Sequence, residues 1–559
     1  RVRSSAASDV YKRQIYMPST IVFSNRQITL PGAYSTIVSG ENNPARNLDY
    51  GKVLIIDTGE FGVGFGGGAG IKGTNSQGQD TIYSFDNISD FRSFVKGGMY
   101  WKIAEALFTP DPSNPAAIGV SEILFVRAAE TKPAKMTFTS TAGGTFVVNT
   151  LDEGTVANGV KEGNNLATGY GYVITPGVED PEKWIMSFYV GSYTGTAEDG
   201  LPYGEISALA STPTLVVQSP EFDNIKTLIE WAQTDSTFAQ AFVLDSTSQV
   251  KGEGTVSESD VQNLLNVFTL ASGGTETYNQ VNFEAVLEQI IGLDYSFVFT
   301  DQYGDNANSA FTKAYIKHMN FDAKFPHQLF VGGYGTSADY SKSLDLAKDF
   351  DSDHIILTHG DVGLASDIAP QKYRWWTVMY NLCAQLGRTA GKEPMIPVTN
   401  KSIGIDRVRH ILTESEQVKA LKNGILVTVK NDYLNKFVVL QGVNTLQDNA
   451  NLFNAKGQSY SIQFMRIVDQ INKELIVNAE IDLLGQENGV NVNTLSAGAV
   501  KDWTVAYLQS RTATNETDNL LLVFQDVVVT RKEDAWFVTY KIRVNNEITK
   551  LFFTGFLIR

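Results

Sequence analysis

Apolar and polar positions recur with two different periods along the chain, and a helix in its second half shows the clearest pattern. Residues 373–386 predict a helix, because apolar side chains recur there at three- and four-residue steps, at Trp376, Met379, Tyr380 and Cys383. Gly387 and Gly391 are expected to end this helix, and Pro394 prevents it from resuming. A proline-containing segment then leads to Asn400.

The stretch after Asn400 predicts a short capped helix and two strands. Thr413 is placed to cap a helix over residues 414–422, and Glu416 three positions later completes a capping box. Residues 425–429, which are rich in β-branched side chains, and residues 437–440 predict the two strands. The stretch has no nucleophile beside a base and no cluster of metal-ligating residues, so it indicates architecture rather than catalysis.

The amino-terminal part of the chain predicts a strand–helix–strand unit. Residues 51–57 and 122–127 are continuous apolar runs, as expected of strands that are buried on both faces. Residues 89–107 between them have helical periodicity, with a bend expected at Gly97 and Gly98. This order of elements is typical of an α/β unit.

The middle of the chain predicts two kinds of sheet. Residues 135–214 contain short alternating runs separated by Gly, Asp and Asn, which predicts an inserted antiparallel β-domain. Residues 222–360 alternate between helical and strand-like runs, which favours a parallel or mixed sheet with covering helices. Ligands of such sheets bind beyond the carboxyl ends of the strands, and the candidates at that edge are Asp301, Gly332, Gly333, His359 and Asp361.

The histidines at this edge could serve catalysis or metal binding. His354 and His359 flank one strand, but their odd offset places the two side chains on opposite faces, which argues against joint ligation of a metal. The motifs G-x-S-x-G and H-E-x-x-H are absent. We therefore expect a structural role, with a catalytic pair of His359 and Asp361 as the alternative.

The glycine-rich stretch 59–74 could cradle a phosphate, because it contains G-x-G-x-x-G from Gly62 onward. A dinucleotide site needs a helix that begins within the motif, whereas residues 72–80 are polar and lack helical periodicity. A P-loop needs Gly-Lys-Ser/Thr, whereas Gly73 follows Lys72. The prediction is a flexible loop that binds no phosphate.

The carboxyl-terminal region predicts two helices and a hairpin. An apolar stripe predicts a helix with one buried face, at Ile462, Met465, Val468, Ile471 and Leu475. Residues 495–508 predict a second helix, and residues 520–529 and 535–544 predict two strands joined by a polar turn. Residues 546–559 are strongly apolar, so either their own domain or a neighbouring subunit must cover them.

Composition and charge exclude several classes of function. The 559 residues have a formal net charge of −16 and a sequence pI near 4.9, which argues against a nucleic-acid backbone as the main partner. The 43% hydrophobic content is typical of globular proteins, and no apolar run is long enough for a membrane span. The single cysteine, Cys383, excludes an intramolecular disulfide and is expected to pack in a core.

The first residues do not resemble the rest of the chain. Residues 1–14, RVRSSAASDVYKRQ, resemble a translated sequencing adapter, and we expect the natural chain to begin at or near Met17. A basic targeting peptide is the alternative, but no apolar segment of the kind that such peptides need follows.

The order of elements resembles that of the contractile tail sheath proteins of bacteriophages and related contractile injection systems. The resemblance rests on LTESEQVKALKNGILVTV at residues 412–429, on the strand ending QGVNTL at residues 441–446, and on LPGAY at residues 30–34. It covers residues 17–559 in the order of elements.

The resemblance implies an α+β multidomain fold. Its parts would be an α/β domain with a mixed sheet, an inserted antiparallel β-domain, and a C-terminal α+β sheath core domain with extended N- and C-terminal arms. The expected segments begin with a non-native leader (1–16), an N-terminal arm (17–40) and the first part of the core (41–134). The inserted β-domain (135–215), the α/β domain (216–400), the C-terminal core (401–545) and the C-terminal arm (546–559) follow.

The same resemblance implies a structural virion protein without catalysis, cofactor or metal. Copies of the chain would form a helical stack of rings around the tail tube protein, between baseplate and tail terminator proteins, after assembly in the host cytoplasm. Neither nucleic acid nor direct membrane insertion is implied. Contacts between subunits are expected from both arms, at Ile21, Val22, Phe23, Tyr34, Ile37, Ile542, Val544, Phe552, Phe553, Phe556 and Ile558. The alternatives are an α/β hydrolase, a nucleotide-binding enzyme, or another tail or baseplate structural protein.

Overall fold

A computed structural model describes most of the chain. It covers residues 21–23, 26–28, 50–59, 82–95, 98–191, 193–195, 208–210, 213–303, 310–365, 373–447, 459–484, 495–512 and 520–545. The glycine-rich motif from Gly62 and the apolar stretch 546–559 lie outside these residues.

Strands occur throughout the described chain. In chain order they are β1 (Ile21–Phe23), β2 (Arg26–Ile28), β3 (Lys52–Asp57), β4 (Ile82–Phe85), β5 (Glu122–Arg127), β6 (Ala129–Ser140), β7 (Gly144–Glu153), β8 (Val160–Glu162), β9 (Asn165–Pro176), β10 (Trp184–Gly191), β11 (Tyr193–Gly195), β12 (Ala208–Ala210), β13 (Thr214–Gln218), β14 (Phe242–Leu244), β15 (Gln249–Val250), β16 (Thr269–Leu270), β17 (Thr275–Tyr278), β18 (Phe297–Tyr303), β19 (Gln328–Gly332), β20 (Ile355–His359), β21 (Val362–Ala365), β22 (Tyr373–Trp376), β23 (Ser402–Ile403), β24 (Arg407–Val408), β25 (Ile425–Asn431), β26 (Lys436–Val439), β27 (Leu521–Lys532) and β28 (Ala535–Val544).

Helices connect and cover these strands. They are α1 (Ile88–Val95), α2 (Gly98–Phe108), α3 (Ile225–Thr234), α4 (Glu258–Val261), α5 (Gln280–Gln289), α6 (Ala310–Lys317), α7 (Tyr340–Phe350), α8 (Val378–Ala390), α9 (Glu414–Lys422), α10 (Ile462–Ala479) and α11 (Ala497–Ser510). The chain is therefore mixed α and β with several sheets, as the sequence predicted.

A mixed nine-stranded sheet lies at the centre, in the order β23-β26-β25-β20-β19-β18-β3-β5-β4. The strands from β25 to β5 run parallel to one another. Antiparallel strands close both sides, with β4 beside β5 and with β26 and β23 beside β25. The sheet confirms the predicted mixed sheet and the buried strands β3 and β5.

Helices cover both faces of this sheet. Successive residues of each strand point to opposite sides, so each strand contributes to two cores. Ile55 and Phe299 share one core with residues of α1, α2 and α8, whereas Leu54 and Val298 share the other with residues of α5, α7 and α9. All four of these sheet residues are fully buried. Such two-sided burial explains why the strands read as continuous apolar runs.

Residues 129–278 supply a separate set of antiparallel strands. One sheet has the order β13-β10-β9-β16 with β8 alongside, and the other has the order β14-β7-β6-β17 with β15 alongside. Phe138, Phe188 and Phe222 are buried in the core that these sheets share with α3. The antiparallel β-region is confirmed, while the exact domain boundaries remain a proposal.

One part of the prediction for residues 222–360 is wrong. Strands β14, β16 and β17 pair antiparallel with β7, β9 and β6, so the parallel sheet resumes only at β18. Short apolar runs such as Phe242–Leu244 do not reveal which sheet they join, because their pairing depends on partners far away in sequence.

The predicted helix 373–386 begins later and ends later than expected. Tyr373–Trp376 is a strand that pairs antiparallel with β21, and the side chain of Thr377 caps α8 by accepting a hydrogen bond from the Met379 N–H at 3.3 Å. Trp376 therefore matched the helical period by coincidence. Gly391 caps the helix at its other end, as predicted, but Gly387 lies within the helix and does not end it.

The predicted bend at Gly97 and Gly98 is a break between two helices. α1 ends at Val95 and α2 begins at Gly98, whose φ of 76° lies in the left-handed region that favours glycine. The capping box of α9 is confirmed, with Thr413 N–H donating to Glu416 at 2.8 Å and Glu416 N–H donating to Thr413 Oγ1 at 3.3 Å.

The carboxyl-terminal elements form a fourth core. Helices α10 and α11 pack with the hairpin β27–β28, and Ile467, Leu508 and Leu521 are buried between them. Both helices and the hairpin confirm the sequence prediction. α10 differs in one respect, because nearly all of its residues are buried rather than only the apolar stripe.

Candidate functional site

The carboxyl edge of the parallel sheet, where a ligand was considered, is closed by internal hydrogen bonds. Asp301 is fully buried, and its Oδ1 accepts from the N–H and hydroxyl of Thr58 at 2.8 and 2.6 Å. Asp361 accepts from the Val378 N–H at 3.0 Å and pairs with Arg409 at 3.2 Å. A Cβ on Gly333 would lie 2.9 Å from the Thr358 carbonyl oxygen, so close packing against β20 explains the glycine at this position.

His359 at this edge belongs to a buried chain of polar side chains. Its Nδ1 lies 2.9 Å from Ser343 Oγ and its Nε2 lies 3.0 Å from His410 Nδ1, while His410 Nε2 lies 3.6 Å from Glu416. Burial and the neighbouring His410 lower the pKa of His359 to about 3. Ser343 is fully buried, so this arrangement stabilises the fold and does not present a nucleophile.

His354 points away from His359, as the odd offset predicted. Its Nδ1 lies 2.7 Å from Asp353 and its Nε2 lies 2.9 Å from Asp469 on α10. Burial opposes protonation, but Asp469 and Asp353 outweigh it and raise the pKa of His354 well above its usual range. The described residues contain no group of three or more His, Cys, Asp or Glu side chains that could hold a metal ion.

A buried charged cluster links the parallel sheet to the antiparallel strands. Arg127, at the end of β5, donates to the Glu153 carbonyl oxygen at 2.9 Å, pairs with Glu276, and donates to the Tyr278 hydroxyl at 3.1 Å. Its Nε lies 3.5 Å from Asp57 at the end of β3. One guanidinium therefore contacts β3 of the parallel sheet and both β7 and β17 of the antiparallel strands.

The charges in this cluster depend on one another because they are buried. Burial raises the pKa of Asp57, while Arg127 opposes that shift, and the Tyr278 hydroxyl donates to Asp57 at 2.7 Å. Gly59, with a φ of 84°, lies against the Tyr278 ring, where a Cβ would approach within 2.7 Å. Sequence inspection missed this cluster, although a charged residue at the end of each apolar strand was a visible signal.

The hairpin β27–β28 is the candidate assembly surface. Its strands form a two-stranded sheet, and on the far side of β27 the described chain supplies only a bridge between Leu521 and Thr512. Leu522, Val523 and Val528 of β27 are exposed, at 45%, 42% and 48% of their surface. An unpaired strand edge with exposed apolar side chains readily accepts a further strand.

The support beneath the hairpin is a helix with buried charges. Glu474 of α10 pairs with Arg511 at 2.7 Å and accepts from the Tyr507 hydroxyl at 2.9 Å, and the neighbouring Lys473 pairs with Asp294 just before β18. Burial raises the pKa of Glu474, while Arg511 opposes the shift. α10 is thus held by charge to the hairpin side and to the sheet side.

The predicted arm residues fall into three groups. Val544 is 4% exposed in the hairpin core and Ile542 packs against it, so both contact their own subunit. Residues 21–23 form β1, which pairs antiparallel with β2. The others, Tyr34, Ile37, Phe552, Phe553, Phe556 and Ile558, lie outside the described residues. A role of these residues between subunits stays a prediction.

Comparison with solved structures identifies the fold. A sheath tail protein from Listeria innocua aligns over 89% of this chain and 96% of its own, with a TM-score of 0.51 and 14% sequence identity. A sheath tail protein from Desulfitobacterium hafniense aligns over 92% of this chain and 100% of its own, with a TM-score of 0.52 and 12% identity. No protein-family model and no curated protein matches the sequence. The chain therefore shares the fold of sheath tail proteins.

No helix of the described part is long and apolar enough to cross a membrane.

Proposed function

We propose that this chain is the subunit of a contractile tail sheath, which polymerises around a tail tube and drives the tube into a host envelope when it contracts. The observation that carries the proposal is the fold likeness to two sheath tail proteins over about nine-tenths of the chain. The edge of β27 supports it, because a helical polymer needs a surface that binds a different surface of the next copy.

In this proposal the apolar stretch 546–559 of one copy adds a strand to the hairpin of the next. A ladder of backbone hydrogen bonds would then link the two copies, and it could persist while the domains shift around it. Residues 17–40 would act in the same way at the other end of the chain. The further partners are the tail tube protein and the baseplate and tail terminator proteins, in the tail of a virion assembled in the host cytoplasm.

The enzyme alternatives have less support. The buried polar groups at the carboxyl edge of the sheet already bind one another, and Ser343 beside His359 has no access to a substrate. The glycine-rich motif from Gly62 lies outside the described residues, so its lack of phosphate binding stays a prediction. We propose that the chain has no catalytic activity and no cofactor.

The test is negative-stain microscopy with sedimentation velocity of the purified chain and of two matched variants. Leu522→Lys places a charge on an exposed side chain of β27, where it would disfavour burial under an added strand. Val178→Lys places the same charge on a side chain of the antiparallel region that is 87% exposed. We expect rings or tubes from the wild type and from Val178→Lys. Leu522→Lys should remain as soluble single subunits with an unchanged circular dichroism spectrum.

A deletion separates the arm from the edge that would receive it. Removal of residues 546–559 should abolish polymers without unfolding the subunit, whereas removal of residues 1–14 should leave polymers intact. Phe553→Asp should act like the first deletion. Polymers that persist in Leu522→Lys and in the 546–559 deletion would refute the strand-exchange mechanism. A wild type that remains monomeric at every concentration and salt condition would argue against the sheath function itself.

A further inference from the structure

A small cavity lies at the amino edge of the parallel sheet, where α10 passes the first residues of the strands. Its volume is about 20 Å³. Its wall combines Gln328 at the start of β19, Phe297 at the start of β18 and Tyr50 just before β3 with Arg466 and Asp469 of α10. The cavity therefore lies between the sheet and the helix that supports the hairpin.

Arg466 supplies hydrogen-bond donors to this cavity. It is 5% exposed, donates to the Lys392 carbonyl oxygen, and lies over the Phe297 ring at 5.5 Å. No carboxylate pairs with it among the described residues, and burial lowers its pKa to about 10. A guanidinium has five N–H donors, and one backbone carbonyl oxygen cannot accept from all of them, so most of the donors need another acceptor.

Gln328 supplies an acceptor. It is 1% exposed, and its Nε2 is shared between the Ile462 carbonyl oxygen and Asp469 Oδ2, both at 3.4 Å. Its Oε1 has no hydrogen-bond partner within the described chain. The carboxylate of Asp469 is a second acceptor on the same wall. The cavity thus has one cationic donor and two acceptors.

We propose that this cavity binds one water molecule, which accepts a hydrogen bond from Arg466 and donates to Gln328 Oε1 and to Asp469. A volume of about 20 Å³ suits a single water, which needs roughly 10–15 Å³ and two to four polar partners. An anion would face both acceptor groups, and a metal ion would face Arg466. Water satisfies the donor and both acceptors together.

The bound water adds a second link between β19 and α10, beside the direct contacts of Gln328 with Ile462 and Asp469. It connects β19 through Gln328 to α10 through Arg466, beside Tyr50, where the described chain enters β3. Hydrogen bonds through water are nearly as favourable as direct ones, so this contact is part of the joint between sheet and helix. The inference does not depend on the proposed assembly, because every contributing residue belongs to one subunit.

The test is an experimental density map of the full chain at a resolution that shows other buried waters. We expect a single spherical peak within about 2.7–3.2 Å of Gln328 Oε1 and of an Arg466 nitrogen. Gln328→Met keeps the length of the side chain and removes the acceptor, so the peak should disappear. Gln463→Met is the matched control, because Gln463 also has a buried Oε1 without a partner but does not line the cavity.

Two results would overturn the proposal. One is an empty cavity in the wild-type map while other internal waters are visible. The other is an extended peak together with a melting temperature that rises in sodium formate but not in sodium chloride of equal ionic strength, which would indicate a carboxylate site. If Gln328→Met does not fold, the wild-type map and the formate comparison still decide between water, an anion and an empty cavity.

Discussion

Replacement of Arg127 by methionine should open the junction between the parallel sheet and the antiparallel strands. Methionine has a similar length but no charge, so Asp57 and Glu276 lose the cation that they share. Arg127 and Asp57 are both fully buried, and removal of one partner from a buried ion pair costs about 3–5 kcal/mol. A tenfold change in an opening equilibrium corresponds to about 1.4 kcal/mol, so local opening should increase from roughly 100-fold to several thousandfold.

Hydrogen exchange measures this opening directly, because amides of a locally opened segment exchange in proportion to its population. Peptides from β3 and β17 should exchange faster in Arg127→Met, while peptides from the hairpin β27–β28 should not change. Arg92→Met is the matched control, since Arg92 and its partner Glu105 are 24% and 33% exposed and such pairs contribute at most about 1 kcal/mol.

A double variant and a pH series test whether the unpaired Asp57 carboxylate causes the opening. Asp57→Asn added to Arg127→Met should restore part of the protection, because it removes the carboxylate left without its partner. The defect of Arg127→Met should also shrink as the pH falls, since burial already raises the pKa of Asp57 and protonation neutralises it. If exchange in β3 and β17 stays within about fivefold of wild type, the guanidinium is not what holds the junction together.

Three other outcomes follow from the described contacts. Thr413→Ala should lower stability by about 1 kcal/mol in urea unfolding, whereas Thr413→Ser should retain most of it; equal losses would exclude the cap. The pKa of His359 in the folded state, about 3, lies below its unfolded value, so its contribution to folding stability is present above about pH 6.5 and is lost toward pH 3. In a pH series of urea unfolding midpoints, His359→Asn should therefore reduce the loss of stability between these two pH values. His354 has a raised pKa, so its contribution to folding stability is present below about pH 6.5 and is lost at higher pH. His354→Asn should therefore reduce the loss of stability as the pH rises, and an unchanged pH dependence of the urea midpoint would contradict the two ion pairs.

The features that the sequence predicted are those set by neighbours along the chain. The capping box of Thr413 and Glu416 spans three residues, and the hairpin β27–β28 shows as two adjacent strand-like runs. The opposite faces of His354 and His359 follow from strand geometry alone. The family resemblance added the order of the elements, which the shared fold supports over most of the chain.

The features that the sequence did not predict depend on residues that lie far apart along the chain. Arg127 meets Glu276 across 149 positions, and Arg511 meets Glu474 across 37, so neither pair forms a local pattern. The apolar stripe of α10 predicted one buried face, because its charged residues read as solvent-facing unless their partners are known. The strand at Tyr373–Trp376 was missed because its pairing with β21 outweighs a local helical period.

The two adjacent ion pairs of α10 also restrict how the helix can rotate about its own axis. Lys473 and Glu474 are consecutive, so their side chains leave the helix about 100° apart, one toward Asp294 and the other toward Arg511. A helix that is held by ion pairs on two sides at the same turn cannot rotate about its own axis without breaking one of them. These two ion pairs therefore fix the rotational position of α10 between Asp294 before β18 and Arg511 after α11.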